Sequence, residues 1–233
     1  MRRVGAWERV MKLVILTSAM LASLVAISAA DAATVVASAS FETPVLNTPG
    51  IQYGSDESSY NTNETGPVSI PQFSFKGFSG IISNGSLGVF PDTAFGNQAA
   101  FLQSYLGGGS EIDWTLTGLT AGRNYTLSFE DVSSLIVPAE PFTISALGGG
   151  PSLFTPGSAY ALNTFSFTPT SSSDTIAFVG AVLPGNQASA IDNLTVSGVP
   201  ESATWAMLLL GAGLVGGGLR MARRKDGMAL APA

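Results

Sequence analysis

Tyr125-Thr126-Leu127-Ser128-Phe129 is the stretch that decides the fold of this chain. Its apolar residues stand at the odd positions and its hydroxyl residues at the even ones. This period of two predicts a β-strand with one buried face. Thr164-Phe165-Ser166-Phe167-Thr168 repeats the pattern, so at least two strands of this kind are expected.

Short runs rich in Val, Ile, Thr, Phe and Tyr recur throughout residues 33–199, broken by Gly, Pro, Asn and Ser. No stretch there keeps a helical period long enough to favour a helix. The predicted strands are residues 34–41, 72–78, 80–83, 87–90, 98–105, 111–116, 124–131, 142–147, 161–167, 174–182 and 190–197. The pattern predicts an all-β fold, a jelly roll or two-sheet β-sandwich.

Residues 43–71 differ from their surroundings, because they are rich in Thr, Asn, Ser, Gly and Pro. They predict a long irregular loop, and long loops on a β scaffold often carry binding residues. The glycine triplets at 107–109 and 148–150 predict turns. Neither is followed by a helix or a lysine, so a phosphate cradle is not expected.

Residues 33–199 are strongly acidic, with 12 Asp or Glu against two basic residues, Lys76 and Arg123. Their net charge of −10 would repel nucleic acid, and it would attract cations or simply favour solubility. The chain has neither cysteine nor histidine. Disulfides, thiolate metal sites and histidine-based catalytic triads are therefore excluded.

Paired carboxylates are the remaining route to catalysis. Glu111 and Asp113 would share one strand face, about 7 Å apart along the strand. Glu130 and Asp131 form a second pair. No catalytic motif accompanies either pair, so the chain is predicted not to be an enzyme.

A sugar-binding face needs exposed aromatic rings that stack on pyranoses. Tyr53 and Tyr60, in the long predicted loop, and Trp114 are the candidate ligand-binding residues. Tyr105 and Tyr160 are further candidates. Trp114 and Tyr105 fall within predicted strands, where an aromatic side chain more often belongs to the core.

Residues 1–32 predict a secretory signal peptide, which implies the Sec translocon and signal peptidase as partners. A basic start precedes the uncharged run 13–27, and small residues follow it. Cleavage is expected after Ala32, with cleavage after Ala30 and a start at Met11 as alternatives. A retained N-terminal anchor is the other interpretation.

Residues 203–221 form an apolar run of 19 residues with one interior charge, Arg220. As a helix the run would be about 28 Å long, close to the thickness of a bilayer core. Trp205 stands at its entry. The basic residues that mark a cytoplasmic stop are Arg220, Arg223, Arg224 and Lys225. A single membrane span is predicted, and a buried core helix is the alternative.

This tail resembles the PEP-CTERM sorting signal of exported bacterial proteins, through Val199-Pro200-Glu201, Trp205-Ala206-Met207, a Gly/Leu-rich span and an Arg-rich end. Ser202 stands where the family usually has proline. The resemblance implies a sorting motif of Pro200, Glu201 and Trp205. It also implies an exosortase as partner, and delivery to the cell surface or the extracellular matrix.

Three further segments together resemble the galactose-binding-like jelly roll, a family with many carbohydrate-binding modules. They are Ser40-Phe41-Glu42, residues 116–129 and Ala190-Ile191-Asp192-Asn193-Leu194-Thr195-Val196. The resemblance covers residues 34–198 and implies a structural calcium where the first and last strands meet. Its implied ligands are Glu42 and Asp192. Ala37-Ser38-Ala39 lacks the family's usual Asn-Gly, so a different turn is expected there.

The sequence thus predicts a signal peptide at 1–32, a β-sandwich domain at 33–198, a sorting and anchor segment at 199–225 and a cytoplasmic tail at 226–233. The predicted function is that of an exported surface or matrix protein that associates with exopolysaccharide in a biofilm or floc. The alternatives are a purely structural matrix protein and a carboxylate-pair glycoside hydrolase.

Overall fold

The strands of this chain form two sheets. The computed structural model describes residues 33–198 together with Gly211 and Gly213. Within 33–198 the strands are β1 Thr34–Ala39, β2 Ile51–Tyr53, β3 Phe73–Gly77, β4 Ser79–Ser83, β5 Gln98–Ser104, β6 Ser110–Thr117, β7 Tyr125–Ser133, β8 Phe142–Ala146, β9 Gly149–Phe154, β10 Ala161–Phe167, β11 Ser173–Gly180 and β12 Gln187–Gly198. A short 3-10 helix spans Ser58–Tyr60.

The larger sheet has the strand order β10-β7-β12-β5-β4-β2, and β1 also pairs with β12. The smaller sheet has the order β3-β6-β11-β8-β9. The ladders along both orders are antiparallel. The predicted all-β sandwich is therefore confirmed.

The core lies between the two sheets, and the alternation of β7 builds one wall of it. Tyr125, Leu127 and Phe129 are at most 2% exposed, while the residues between them are half-buried. Trp114 and Phe178 face them from the smaller sheet and belong to the same cluster. Burying such large apolar side chains supplies the main driving force for the fold.

The structure differs from the sequence predictions in three segments: one predicted strand is absent, and two strands lie where a loop or turn is predicted. Residues 87–90 form a turn, because Leu87 and Gly88 take positive φ angles of 52° and 62°. Ile51–Tyr53 is a strand inside the predicted loop, held by pairing with β4. Gly149–Phe154 begins within a predicted glycine turn, yet it forms a hairpin with β8. In the last two cases the partner strand imposes an extended backbone on a sequence that lacks a strand pattern of its own.

The predicted signal peptide at 1–32 and the sorting segment at 199–225 lie outside the described residues, Gly211 and Gly213 apart. So do the basic stop and the tail at 226–233. In the described part of the chain, no helix has the length and apolar character that a membrane span requires.

Candidate functional site

A group of aromatic rings lies on the outer face of the larger sheet, away from the core. Ala100 and Leu102 of β5 point into the core, so Phe101 between them points outward. Tyr53 packs edge-on against Phe101 with ring centroids 5.0 Å apart. We call Tyr53, Tyr60, Phe78 and Tyr105 the tyrosine cluster.

Each ring of the tyrosine cluster contacts at least two others. Tyr60 lies 6.1 Å from Tyr53, 5.6 Å from Phe78 and 6.2 Å from Tyr105, measured between ring centroids. Phe78 lies 5.5 Å from Tyr105. These separations and tilted or edge-on geometries are those that aromatic pairs prefer. The cluster therefore holds its rings in fixed orientations.

The cluster is open to solvent mainly through Tyr60, which is 47% exposed and ends the short 3-10 helix. Tyr105 is half-buried, whereas Tyr53 and Phe78 are buried. Tyr60 is thus a supported ring with a free surface, which is what stacking on a sugar requires.

A chain of hydrogen bonds runs from the cluster to the surface. The Tyr53 hydroxyl donates to Gln103 Oε1 at 2.7 Å, and Gln103 Nε2 donates to Asn186 Oδ1 at 2.7 Å. Burial raises the pKa of Tyr53 to about 12, and Glu57, Tyr105 and Tyr60 add to this effect. The Tyr53 hydroxyl therefore keeps its proton at neutral pH, and the exposed amide of Asn186 is the end of the chain that a ligand can reach.

A shallow groove of about 200 Å³ adjoins the cluster. Its lining includes Tyr53, Gln103 and Asn186 with the apolar side chains of two covering loops, among them Leu87 and Ile136. The loops are joined by main-chain and side-chain bonds, since Leu135 N and Ser134 Oγ both donate to the carbonyl of Val89. These bonds fix the walls of the groove.

The structure brings Tyr53 and Tyr60 together but places Trp114 elsewhere. Trp114 belongs to β6 in the other sheet, is 1% exposed and stacks on Phe73 at 5.4 Å between ring centroids. Too little of its surface is exposed for a pyranose to stack on it. Alternation along β6 turns Trp114 into the core, so the structure does not bring it to the same surface as Tyr53 and Tyr60.

Glu42 and Asp192, the expected calcium ligands, lie in the same part of the domain. Asp192 is fully buried and accepts hydrogen bonds from the Thr93 hydroxyl and the Asn193 N–H. Burial raises its pKa to about 6, with the carboxylates of Glu42 and Glu130 adding to the effect. No cluster of three or more acidic, His or Cys ligands occurs among the described residues.

The carboxylate of Glu42 lies against main-chain donors. Its Oε1 accepts from the N–H groups of Asn97 and Gln98, both at 3.0 Å. The preceding Gly96 has a φ of 138° and no room for a Cβ, which would meet the Glu42 carboxylate. Glycine at position 96 therefore lets the Glu42 carboxylate reach the N–H groups of Asn97 and Gln98.

Neither carboxylate pair considered for hydrolysis forms an open catalytic pair. Lys76 Nζ lies 2.7 Å from Glu111 Oε1 and 2.6 Å from Asp113 Oδ2. Both carboxylates are therefore ion-paired with the same ammonium group. Glu130 and Asp131 are consecutive residues of β7 and point to opposite faces of the sheet. The geometry gives no support to the hydrolase alternative.

Sequence reasoning missed Gln103, Asn186 and Phe78 as members of this surface. Gln103 follows Phe101 by two residues on the predicted strand 98–105, so the period of two could have placed both side chains on one face. Asn186 and Phe78 carry no such signal, because they reach the surface through pairing and loop contacts between distant segments.

Carbohydrate-binding modules with jelly-roll or β-sandwich folds are among the similar solved structures. TmCBM61, solved with β-1,4-galactotriose, is 12% identical, covers 54% of this chain and 88% of its own, and has a TM-score of 0.41. The CBM22-1 xylan-binding domain of Paenibacillus barcinonensis Xyn10C is 12% identical, with a TM-score of 0.44. The match covers 73% of this chain and 97% of that domain.

The family 11 module of the Clostridium thermocellum cellulase Lic26A-Cel5E is 14% identical and covers 56% of this chain and 89% of its own, with a TM-score of 0.37. No family model and no curated protein matches this chain.

Proposed function

We propose that this domain binds a polysaccharide chain at the tyrosine cluster and its adjoining groove. The observation that carries the proposal is Tyr60, an exposed ring supported by Phe78 and Tyr105 beside a hydrogen-bond chain that ends at Asn186. Aromatic rings stack on the apolar faces of sugars, and amide groups form hydrogen bonds with sugar hydroxyls. The site supplies both groups within one surface.

The chemistry of the groove favours an uncharged glycan. No charged side chain belongs to its described lining, and the charge that acts most on Tyr53 is the negative one of Glu57. The acidic balance of residues 33–199 would further repel an anionic polymer. We therefore assign the site to neutral segments of an exopolysaccharide.

The test is affinity electrophoresis and calorimetry of the purified full-length chain against neutral polysaccharides and the exopolysaccharide of its host. Tyr60→Ala should weaken binding at least about tenfold, the usual effect of losing an aromatic anchor. Tyr60→Phe should retain most of it, since the ring remains. Leu153→Ala, an exposed apolar change on β9 of the other sheet, is the matched control.

The absence of saturable binding by the wild-type chain would overturn this proposal. It would favour the alternative of a purely structural matrix protein. Binding that Tyr60→Ala leaves unchanged would instead remove the tyrosine cluster from the site.

A structural calcium at Glu42 and Asp192 is the second part of the proposal. The chemistry of the donors fits, because the charged groups that act on Asp192 are the acidic Glu42 and Glu130, and a cation would offset this repulsion. Each carboxylate can accept more hydrogen bonds or metal contacts than it has here. Calcium needs six to eight oxygens, so main-chain carbonyls and water would complete the shell.

Bound calcium would join the segment after β1 to β12 and so stabilise the domain. Chelation should then lower the melting temperature of the full-length chain, and added calcium should restore it. Asp192→Asn should abolish the difference between chelated and calcium-loaded samples. Equal melting of the wild-type chain under both conditions would overturn this part.

Export and sorting form the third part, which rests on the sequence of residues 1–32 and 199–225. The Sec translocon and signal peptidase would act first, and an exosortase would then recognise Pro200, Glu201 and Trp205 and release the protein from its membrane anchor. Replacing Pro200 and Glu201 by Ala should leave a precursor in the membrane fraction. An unchanged mass and location of the exported protein would contradict sorting.

A further inference from the structure

A second and larger cavity lies away from the tyrosine cluster. Its volume is about 410 Å³, within the usual range for ligand pockets of about 300–1,000 Å³. It opens where the segment that follows β1, the segment that precedes β3 and the middle of β12 meet. None of its lining residues belongs to the groove beside the tyrosine cluster.

Three residues that line this cavity have an uncommon backbone. Phe41, Gln72 and Asn193 have φ angles of 57°, 70° and 53°, which is the left-handed region. Side chains other than glycine occupy this region at a cost of about 1–3 kcal/mol each. Such conformations persist where the surrounding structure fixes them, and they concentrate at binding sites.

Hydrogen bonds to the main chain fix these three positions. The Gln98 side-chain amide donates to the carbonyl of Phe41 at 2.6 Å. The Thr115 N–H donates to the carbonyl of Gln72 at 2.8 Å. The Asn193 N–H donates to Asp192 Oδ1 at 2.7 Å, at a bulge that shifts the register between β12 and β7. The backbone around the cavity is therefore set before any ligand arrives.

The polar side chains on the same residues remain available. The amide groups of Gln72 and Asn193 make no hydrogen bond within the described part of the chain, and both residues line the cavity. The hydroxyls of Ser40 and Thr43, also in the lining, are equally unengaged there. Two amides and two hydroxyls can thus donate to and accept from a ligand.

An aromatic surface adjoins these polar groups. Phe73 is half-buried and lines the cavity. It stacks on Trp114, with centroids 5.4 Å apart and an interplanar angle of 11°, and Phe41 meets its edge at 5.2 Å. Because both neighbours belong to the core, the ring of Phe73 is held rigidly.

We infer that this cavity is a second binding site, for a single uncharged sugar unit. The fixed ring of Phe73 offers an apolar surface, and the Gln72 and Asn193 amides offer partners for hydroxyls. Glu42 is the one charged residue of the described lining, so the cavity offers no cationic partner for an anionic sugar. Two separate sites on one domain would allow it to link two glycan chains, or two parts of one chain.

The test uses glycine substitutions at Gln72 and Asn193. Glycine adopts a positive φ without strain, so Gln72→Gly and Asn193→Gly remove the amides while the fold keeps or gains stability. Leu106→Gly, at a φ of 51° outside both cavities, is the matched control for this backbone change. The probes are cellotetraose, xylotetraose and β-1,4-galactotriose, titrated into the full-length chain by calorimetry.

The wild-type chain should bind two molecules of the preferred probe. The Gln72→Gly, Asn193→Gly double variant should bind one, and a further Tyr60→Ala should remove the remaining binding. Tyr60→Ala alone should leave one site, and the two glycine substitutions should remove that site. Leu106→Gly should leave the stoichiometry at two.

The remaining outcomes separate this inference from the proposed function. One site that the glycine substitutions leave unchanged would overturn the inference, with the tyrosine cluster still in place. One site that only the glycine substitutions remove would support the inference and overturn binding at the tyrosine cluster. A chain that binds none of the three probes would overturn the inference.

Discussion

The two faces of the larger sheet both carry aromatic residues, but they use them differently. On the inner face Tyr125 is buried, and its hydroxyl accepts a hydrogen bond from the nearby Thr120 N–H at 2.9 Å. On the outer face the hydroxyl of Tyr53 donates towards Gln103 and, through it, to the exposed Asn186. The hydroxyl of Tyr125 thus bonds only within the domain, whereas that of Tyr53 is connected by hydrogen bonds to a surface side chain.

This difference separates stability from recognition. The inner face gains its energy from apolar area removed from water, and its polar atoms are satisfied locally. On the outer face the ring of Tyr60 is about half exposed to solvent, and a groove adjoins the tyrosine cluster. Substitutions on the inner face should therefore affect folding, and substitutions on the outer face should affect binding.

The largest effect is expected from Phe129→Ala on the inner face. Phe129 is fully buried and contacts Phe142, Phe154 and Phe178. Its truncation should lower the free energy of unfolding by about 3–5 kcal/mol. Tyr60→Ala, its counterpart on the outer face, should cost less than about 1 kcal/mol, as surface changes do. Urea unfolding of both variants measures these changes. Equal losses in the free energy of unfolding would contradict the distinction between a stabilising inner face and a binding outer face.

Glu140 provides the next test, because it places a carboxyl group in the buried interior. It is fully buried, accepts a hydrogen bond from the Ser110 hydroxyl at 3.1 Å, and leaves Oε2 without a partner among the described residues. Burial raises its pKa from 4.5 to about 8, although hydrogen bonds from Ser110 and the Ser104 backbone act against this.

The folded state therefore holds a proton at pH values where the unfolded state has lost it. The stability that Glu140 contributes is fully present below pH 4.5 and decreases as the pH rises through about 8. Glu140→Gln, which stays neutral, should raise the free energy of unfolding at pH 9 by about 1–3 kcal/mol, and by less at pH 5. Thermal unfolding across this range is the measurement. Leu153→Ala, an exposed change that involves no titratable group, is the control and should not change the pH profile.

Tyr53→Phe and Tyr125→Phe compare the two hydroxyls directly. Each loses one hydrogen bond, so each should cost about 1 kcal/mol of stability. Only Tyr53→Phe should also weaken glycan binding, since it breaks the chain that orients Gln103 and Asn186. Equal binding by both variants would contradict a role for the outer hydroxyl.

The smallest effect is expected at Lys76, on the outer side of the smaller sheet. Its hydrogen bonds with Asp113 and Glu111 raise the pKa of the ammonium group, but its side chain is 48% exposed. Lys76→Gln should therefore cost no more than about 1 kcal/mol. The difference should shrink in 1 M salt, which screens exposed charges. A loss that is independent of salt would contradict a simple surface ion pair.

The inner face could be predicted from the sequence because its signal is local. The alternation of Tyr125, Leu127 and Phe129 and that of Phe165 and Phe167 are both retained as buried faces. A strand with one face in the core needs no knowledge of its partner to show this period. The all-β fold followed from repeating the same reasoning along the chain.

The outer face could be predicted only in part, because distant segments assemble it. The sequence predicts Tyr53 and Tyr60 as loop residues, but their contact depends on the pairing of Ile51–Tyr53 with β4. Residues 87–90 have a strand-like composition, yet they form a turn that covers the groove. Glu140 gave no signal, since an isolated acidic residue between prolines looks like a surface residue until its burial is known.

The ion pair at Lys76 has a consequence for the resistance of the domain to trypsin-like proteases. Residues 33–198 contain only two peptide bonds that a trypsin-like protease would select, those after Lys76 and Arg123. Lys76 lies in β3, paired with β6, and its ammonium group is occupied by two carboxylates. Proteases cut most readily at exposed loop tips. The domain therefore offers such enzymes few cleavage sites, and the one after Lys76 is protected by strand pairing.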